Sequence, residues 1–458
     1  MNDSSRHVFL LAFISIGLLV LLSLVPWSGL TGNLLKDFDL FGDLRPEPIA
    51  SVDAPEIPVL PEETGGGDNT IVPVAADSLA ADSVVQVHVV PDAPPMRDGV
   101  VLIENYTGSS VALERFRAAL AGGKARVAVL GDSYIEGDIF CQNLRDRLQQ
   151  RYGGSGVGFM AMHSDFPGFR HTVRQSDKGW TMRDVRTFGK DDKMRTLSSD
   201  YARSVGGAST TFKGCGAFPD THKWDNTRFL FIAPDSGTVS ITLSDGTPRS
   251  FDVQPSEDVQ MLEVAAETDK AEVATDIPGL VALGTYLDGA SGVALDCMSV
   301  RGNSGMGLRF LNNGLCGQMA RFVDYDLIIL EFGMNAISPD QTNYSAYAMQ
   351  MKKSIDRIRQ SYRNADILVM GVGDRGAKKG AAVESLEAAA AMLQAQRRLA
   401  VNAGTLFWDT RAAMGGDGAI ADWRKRKLVN ADYIHLNHAG GAELAALLDK
   451  ALQIAINE

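Results

Sequence analysis

The sequence has few cysteines and no excess of basic residues, and both shortages exclude classes of function. Only 4 of its 458 residues are cysteine, and none shows a CxxC pair or the spacing of a metal-ligand set, so no zinc site is visible. The four cysteines allow three fully paired arrangements, and the sequence favours none of them. Lysine and arginine number 44 against 56 aspartates and glutamates, which gives a net charge of −12. Nucleic-acid binding depends on clustered basic side chains, so this charge argues against nucleic acid as a partner.

Most of the negative charge lies in one segment near the N-terminus. Residues 36–98 hold 13 acidic and 3 basic residues, and residues 31–98 hold 9 of the 17 prolines. A segment of this composition buries too little apolar surface to offset its chain entropy. We therefore expect residues 31–100 to form an acidic, proline-rich, disordered linker that its own charges extend.

An apolar run precedes this linker. Val8 to Val25 is a stretch of 18 residues without a charge, close to the lower limit for crossing a bilayer. No small-x-small cleavage pattern follows the run, and Arg6 precedes it. We predict that residues 1–30 form a cytoplasmic tip and an uncleaved membrane anchor, with the body of the chain exported. A cleaved signal peptide and a secreted product are the alternative.

Beyond the linker, apolar strands alternate with helical patterns. The predicted strands are Val127–Leu130, Tyr325–Leu330, Asp366–Gly371 and Thr405–Trp408. The predicted helices lie near residues 110–121, 138–152, 344–362, 383–402 and 439–456. This alternation predicts an α/β fold with a parallel sheet covered on both faces, whose ligands bind beyond the carboxyl ends of the strands.

The segment 165–290 interrupts this pattern. It contains short β-type runs separated by turn residues such as Ser244-Asp245-Gly246, which predict an antiparallel β module inserted into the core. The core is then discontinuous, with parts at 101–164 and 291–458. Trp180 and Trp224 in the module could stack on sugar rings, but a buried structural role is the more frequent one for tryptophan.

Two polar motifs lie far apart in the sequence and complement each other chemically. Gly131-Asp132-Ser133 directly follows the first predicted strand, on a turn that can expose a hydroxyl, although such a turn can equally be an ordinary cap. Asp432 and His435 lie just before the last helix, and an aspartate at this spacing can reach the ring N–H of the histidine. That contact would leave the other ring nitrogen free to accept a proton from a serine. The pair by itself is also common in surface turns.

Two further motifs supply hydrogen-bond donors. Asn335, in Gly333-Met334-Asn335, follows the second predicted strand, and its amide could donate to an oxyanion. Gly302 lies in a loop after an alternating run, where the absence of a side chain lets a backbone N–H approach a ligand. Each is ordinary turn chemistry when it is taken singly.

Taken together, the four motifs resemble the four blocks of the SGNH (GDSL-type) hydrolases, over residues 105–160 and 290–458. They also follow the family's order along the chain, which is Gly131-Asp132-Ser133, Gly302, Asn335 and finally Asp432 with His435. The resemblance implies a flavodoxin-like α/β/α core, Ser133 as nucleophile, His435 as general base and acid, and Asp432 as the residue that orients the histidine. It also implies an oxyanion hole built from the backbone N–H groups of Ser133 and Gly302 and the amide of Asn335, with no cofactor and no metal. Position 336 is alanine in this chain, whereas the family often has aspartate there. This difference leaves open which group supports the Asn335 loop.

The inserted module and the expected export make the chain similar to periplasmic peptidoglycan O-acetylesterases. The resemblance implies a serine esterase that removes acetyl groups from an O-acetylated cell-envelope glycan, with its anchor in the inner membrane. An O-acetyltransferase of the same superfamily and a non-catalytic glycan-binding protein remain alternatives, and the sequence indicates no protein partner. Retention of Ser133, His435, Asp432 and Asn335 argues against a pure binding role.

Overall fold

A computed structural model describes residues 91, 93–380 and 382–458. The predicted anchor and most of the predicted linker therefore lie outside the described residues. The last residues of the predicted linker, however, form a short antiparallel pair of strands, β1 (Met96–Arg97) and β2 (Val100–Val101). No helix in the described ranges is both long and apolar enough to cross a membrane.

The core of the described chain is a six-stranded sheet. Its strands in chain order are β3 (Glu104–Asn105), β4 (Lys124–Gly131), β14 (Gly292–Ser299), β15 (Leu327–Glu331), β16 (Asp366–Met370) and β19 (Leu406–Trp408). Their order across the sheet is β14-β4-β15-β16-β19-β3, and only β3 is antiparallel to its neighbour. Numbered along the chain, the five parallel strands follow the order 2-1-3-4-5, which is the flavodoxin-like order.

Eight helices accompany this sheet in the described part of the chain. They are α1 (Glu114–Ala121), α2 (Cys141–Tyr152), α3 (Asn313–Ala320), α4 (Ser345–Ser361), α5 (Glu387–Ala403), α6 (Thr410–Met414), α7 (Ala419–Lys425) and α8 (His438–Asn457). Helix α8 packs on α2, and α4 packs on α3 and α5. All of β4 except its first residue is buried, as expected for a strand covered on both faces. The predicted mixed α/β architecture is therefore confirmed.

A second sheet contains nine strands and only antiparallel pairs. Its strands are β5 (Gly156–Met160), β6 (Val173–Asp184), β7 (Asp200–Gly214), β8 (Trp224–Ile232), β9 (Gly237–Leu243), β10 (Pro248–Val253), β11 (Gln260–Thr268), β12 (Lys270–Thr275) and β13 (Val281–Asp288). This sheet has a hydrophobic core of its own, in which Trp224 is fully buried. It begins at Gly156, nine residues before the expected boundary at 165, because β5 pairs with β13. A small hairpin, β17 (Gly376–Lys379) with β18 (Ala382–Ser385), follows β16.

The strand register places the loops of interest at one edge of the six-stranded sheet. Gly131 at the end of β4 lies opposite Ser299 of β14 on one side and Glu331 of β15 on the other. The carboxyl ends of these three neighbouring strands are therefore level. Ser133, Gly302 and Asn335 follow these ends by two, three and four residues, at the point where the strand order reverses and ligands bind in such sheets.

Candidate active site

Ser133 lies on a tight turn that its neighbour shapes. The side chain of Asp132 accepts a hydrogen bond from the backbone N–H of Tyr134 (2.8 Å), which closes the turn around the serine. Gly131 permits this turn, because a Cβ there would lie 2.9 Å from the carbonyl oxygen of Glu331. A single 3₁₀ turn, Glu136–Asp138, then precedes α2, so the helix begins at Cys141 and not near Asp138 as predicted.

The structure brings Ser133, His435 and Asp432 together across about three hundred residues of chain. Ser133 Oγ lies 2.9 Å from His435 Nε2, and His435 Nδ1 lies 2.7 Å from Asp432 Oδ2. The side chains of His435 and Asp432 remain about two-fifths exposed, at 39% and 40%. A hydroxyl, an imidazole and a carboxylate thus form one continuous hydrogen-bonded chain at the sheet edge.

Local hydrogen bonds hold the loop that carries the histidine. Asp432 Oδ1 accepts the backbone N–H groups of Ile434 (2.9 Å) and His435 (3.0 Å), and the backbone N–H of Asn430 donates to the carbonyl of His435 (2.8 Å). Partial burial raises the pKa of Asp432, but the hydrogen bonds from the His435 ring and from these backbone groups outweigh it and hold the pKa below its ordinary value. The carboxylate is therefore ionised at neutral pH.

Asn335 reaches the serine turn from the next loop. It lies on the 3₁₀ turn Met334–Ala336 after β15, and its Nδ2 donates to Asp132 Oδ2 (2.7 Å) and to the carbonyl of Asn303 (3.4 Å). Asn303 directly follows Gly302, whose φ of 77° is a left-handed conformation that favours glycine. The three predicted donor positions therefore come from adjoining loops.

Sequence reasoning assigned no role to Asp132, although it lies within the Gly-Asp-Ser motif. Burial raises the pKa of the Asp132 carboxyl, and the hydrogen bonds from Tyr134 and Asn335 and the nearby His435 lower it in part. The buried Glu331 carboxyl lies close by, and burial together with the charge of Asp132 raises its pKa well above the usual range. The serine turn thus rests on two buried acidic groups, one of which positions Asn335.

A cleft of about 150 Å³ lies between the two sheets, and none of the triad residues is among those that line it. Glu136 and Arg301 line it from the loops after β4 and β14, and His163, Phe166 and Arg186 line it from the antiparallel side. The aromatic ring of Phe166 is half exposed, and the guanidinium of Arg301 lies 4.6 Å from its centre. Neither tryptophan considered from the sequence belongs to the residues that line this cleft, and Trp224 Nε1 instead donates to Thr227 within the core of its sheet.

One group of side chains in the described ranges has metal-ligand spacing. Oxygen and sulfur atoms of Asp138, Cys141 and Cys297 lie within 4.8 Å of one another. The Asp138 carboxylate, however, already accepts two hydrogen bonds from Arg145 and a third from Arg170. Two guanidinium groups would repel a metal cation at this carboxylate, so the group does not fit a metal ion.

Comparisons with known proteins agree with this fold. The chain is similar to a peptidoglycan O-acetylesterase, with a TM-score of 0.65 and 21% identity over 78% of this chain and 99% of that chain. It is also matched to a family two carbohydrate esterase from Cellvibrio japonicus, with a TM-score of 0.26 and 11% identity over 62% of this chain and 98% of that chain, a score too low to add an argument. No family model matches the sequence, and no curated protein matches it. The resemblance to the SGNH hydrolases therefore holds at the level of the fold.

Proposed function

We propose that the protein is a serine esterase that removes acetyl groups from an O-acetylated cell-envelope glycan, with peptidoglycan as the substrate. The observation that carries this proposal is the hydrogen-bonded chain from Ser133 through His435 to Asp432. A hydroxyl that shares a proton with an oriented imidazole is the recurring arrangement of an activated nucleophile.

In this proposal Ser133 Oγ attacks the ester carbonyl while His435 Nε2 takes its proton. The distance of 2.9 Å between these atoms is within the range for direct proton transfer. Asp432 fixes the imidazole in the tautomer that leaves Nε2 free and stabilises the imidazolium that forms. His435 then protonates the departing sugar oxygen, which leaves as a hydroxyl. A water molecule, deprotonated by the same imidazole, attacks the acyl-enzyme and releases acetate, and the imidazolium returns the proton to Ser133 Oγ.

Charge develops on the carbonyl oxygen, and three donors are proposed to stabilise it. They are the backbone N–H groups of Ser133 and Gly302 and the side-chain amide of Asn335. One hydrogen of the Asn335 amide is held by Asp132, and the other makes a long contact of 3.4 Å with the carbonyl of Asn303, which it would exchange for the oxyanion. Donors that are already oriented stabilise a transition state without a reorganisation cost.

The choice of glycan is supported by the likeness in fold to a peptidoglycan O-acetylesterase, which extends over nearly the whole of that chain. The cleft between the two sheets is lined by Glu136 and Arg301, from the loops that also carry Ser133 and Gly302, and it exposes an aromatic ring, a surface on which a sugar could stack. We further propose, from the sequence, that the apolar run 8–25 anchors the enzyme in the inner membrane and that the acidic linker lets its body reach the glycan in the periplasm.

The proposal is tested by acetate release from p-nitrophenyl acetate and from O-acetylated peptidoglycan by the full-length protein. We expect Ser133→Ala to lower kcat by about 10³-fold or more, because the acyl-enzyme cannot form. Ser338→Ala is the matched control. Ser338 is exposed, follows the Asn335 turn, and makes its hydrogen bonds to Tyr344 through backbone atoms.

Hydrolysis that survives in Ser133→Ala would contradict the mechanism. Release of acetate from the chromogenic ester but not from peptidoglycan would contradict the choice of glycan. Transfer of acetyl groups to added sugars in preference to water would identify a transferase.

A further inference from the structure

Two buried cysteines, Cys141 and Cys297, lie next to each other. Their sulfur atoms are no more than 4.8 Å apart, although residues 142–296 separate them in the chain. Cys141 is the first residue of α2, and Cys297 lies in β14, against which α2 packs. The guanidinium groups around Asp138 exclude a metal ion that could bind both thiols. The two sulfurs are therefore placed to react with each other.

The pair lies where the chain leaves the parallel sheet for the antiparallel one and where it returns. Helix α2 is the last element before β5, and β14 is the first element after β13. All nine strands of the antiparallel sheet therefore lie within the segment 141–297. A covalent bond between the two sulfurs would close this segment into one loop at the base of the inserted sheet.

The other two cysteines have different surroundings. Cys316 is buried in α3, where its thiol donates to the carbonyl of Arg195 (3.8 Å). Cys215 is partly exposed just beyond β7, where its thiol donates to the carbonyl of Lys213 (3.9 Å). We therefore expect these two residues to remain thiols, whereas the sequence alone favoured no pairing of the four.

A small reagent can reach one member of the pair. Cys297 lines the cleft between the two sheets and is 6% exposed, whereas Cys141 is fully buried. Cys297 Sγ donates to the carbonyl of Ile135 (3.6 Å), two residues after Ser133. Burial raises the pKa of the Cys141 thiol well above its ordinary value, and the neighbouring Cys297 adds to this change. An oxidant therefore meets Cys297 first, and the reaction is slow at neutral pH because little thiolate is present.

We infer that Cys141 and Cys297 form a disulfide bond with an oxidant of the disulfide class, such as oxidised glutathione, and that this bond stabilises the fold. The Cys297 thiolate attacks one sulfur of the oxidant and releases one glutathione thiol. The Cys141 thiolate then attacks the sulfur of Cys297 in this mixed disulfide and releases the second glutathione thiol. The protein loses two S–H bonds and gains one S–S bond, while two electrons and both protons pass to the oxidant.

The bond requires only a local adjustment. An S–S bond is about 2 Å long, so the two side chains must turn towards each other from their separation as thiols. Cys297 then loses its hydrogen bond to Ile135, which is the only hydrogen bond that the described residues provide for its thiol as donor. The inference does not depend on the esterase function.

Peptide mapping of the full-length wild type tests the pairing. The native protein is incubated with an excess of oxidised glutathione at about pH 8.5, close to the ordinary pKa of a thiol. Free thiols are then blocked with N-ethylmaleimide in urea, and the protein is digested without reduction and analysed by mass spectrometry. We expect one pair of peptides joined through Cys141 and Cys297, with maleimide on Cys215 and Cys316. Dithiothreitol added before the maleimide should abolish the joined pair.

Three results of this mapping would overturn the inference. They are maleimide on all four cysteines, glutathione retained on Cys297 because Cys141 does not displace it, and a joined pair that includes Cys215 or Cys316. The mapping uses the wild type, so it does not depend on whether a cysteine variant folds. It also uses no acetate release, so failure of the proposed esterase would leave its result unchanged.

Thermal unfolding tests the stabilising effect. The Tm of the oxidised wild type should exceed that of the reduced protein by about 5 °C, because a disulfide restricts the unfolded chain more when the loop it closes is long. Cys141→Ala should abolish this difference between oxidised and reduced protein. Cys215→Ser, which removes a thiol outside the pair, is the matched control and should keep it. An equal Tm for oxidised and reduced wild type, or a difference that survives in Cys141→Ala, would overturn the inference.

Discussion

Asn335 depends for its orientation on Asp132, the residue directly before the proposed nucleophile. The two side chains are 203 positions apart in the chain, and Asp132 divides its oxygens between the amide of Asn335 and the backbone N–H of Tyr134. An asparagine at position 132 could not accept both bonds, because one of its two polar atoms is itself a donor. Asp132 therefore acts through Asn335 as a positioning residue.

A double-mutant cycle tests this coupling. Asn335→Ala should lower kcat on p-nitrophenyl acetate by about 10²- to 10³-fold, the usual effect of losing one oxyanion donor. Asp132→Asn should also lower kcat, and the double variant should be no slower than Asn335→Ala, since both changes remove the same donor. Losses that multiply in the double variant would show that Asp132 acts independently of Asn335.

The sequence identified the residues of the proposed triad but not the residues that position them. Ser133, Asp432 and His435 lie in short motifs, and the residue types within each motif are enough to predict its chemical role. The contacts of Asp132 with Asn335 and of Arg375 with the Asn335 turn join segments from different strands, and no local pattern predicts which loops meet. Arg375 also answers the question raised by Ala336, because its guanidinium holds the carbonyls on both sides of that turn.

The connection between β4 and α2 is built around one buried carboxylate. Asp138 accepts two bonds from Arg145 in α2 (2.7 and 2.9 Å), one from Arg170 (3.0 Å) and one from Thr172 (3.1 Å). These tertiary contacts hold Asp138 at φ 68°, a left-handed conformation, which is why the helix begins later than its sequence pattern predicts. Burial alone would raise the pKa of Asp138, but the guanidinium groups hold it well below its usual range.

Asp138→Asn should therefore destabilise the protein. Arg145 is fully buried and would lose the only counter-ion that it has among the described residues, for which we expect a loss of about 3 to 5 kcal/mol in the free energy of unfolding, measured with urea. Asp146→Asn is the matched control on the same helix. In the part of the chain that the structure describes, its carboxylate accepts side-chain hydrogen bonds from Gln150 alone, on the partly exposed face, and a change within about 0.5 kcal/mol is expected. Equal effects of the two variants would contradict the role given to Asp138.

The described chain forms a largely parallel sheet and an antiparallel sheet. Sequence patterns predicted that both sheets exist, but they did not predict how the strands pair within and between the corresponding segments. Short β-type runs separated by turn residues marked several antiparallel strands, and short apolar runs marked most of the parallel ones. The assignment of β5 to the antiparallel sheet and the pairing of β9 with β12 were not predictable, because strand pairing depends on the whole fold. Asp200, the first residue of β7, lies buried beside the cleft that these two sheets form.

Asp200 makes the stability of the whole molecule depend on pH. Burial raises its pKa from the ordinary 3.8 to about 7, so the folded protein binds a proton that the unfolded chain has already lost. This contribution to stability is complete below pH 3.8 and is lost as the pH rises towards 7. Asp200→Asn, which stays neutral, should gain stability relative to the wild type as the pH rises from 5 to 8, by about 2.7 kcal/mol at most. Thermal unfolding of both proteins at pH 5 and at pH 8 checks this. A stability difference between the variant and the wild type that is the same at both pH values would contradict it.

The central claim is that Ser133 is a nucleophile activated by His435, and covalent labelling tests it most directly. The full-length protein is treated with a fluorophosphonate, which reacts with serines activated in this way, and the modified peptide is identified by mass spectrometry. We expect one adduct, on Ser133, formed at least 100-fold more slowly in His435→Ala, because the imidazole no longer takes the serine proton. A protein that releases acetate but carries the adduct on another residue, or that labels Ser133 equally fast without His435, would contradict the account.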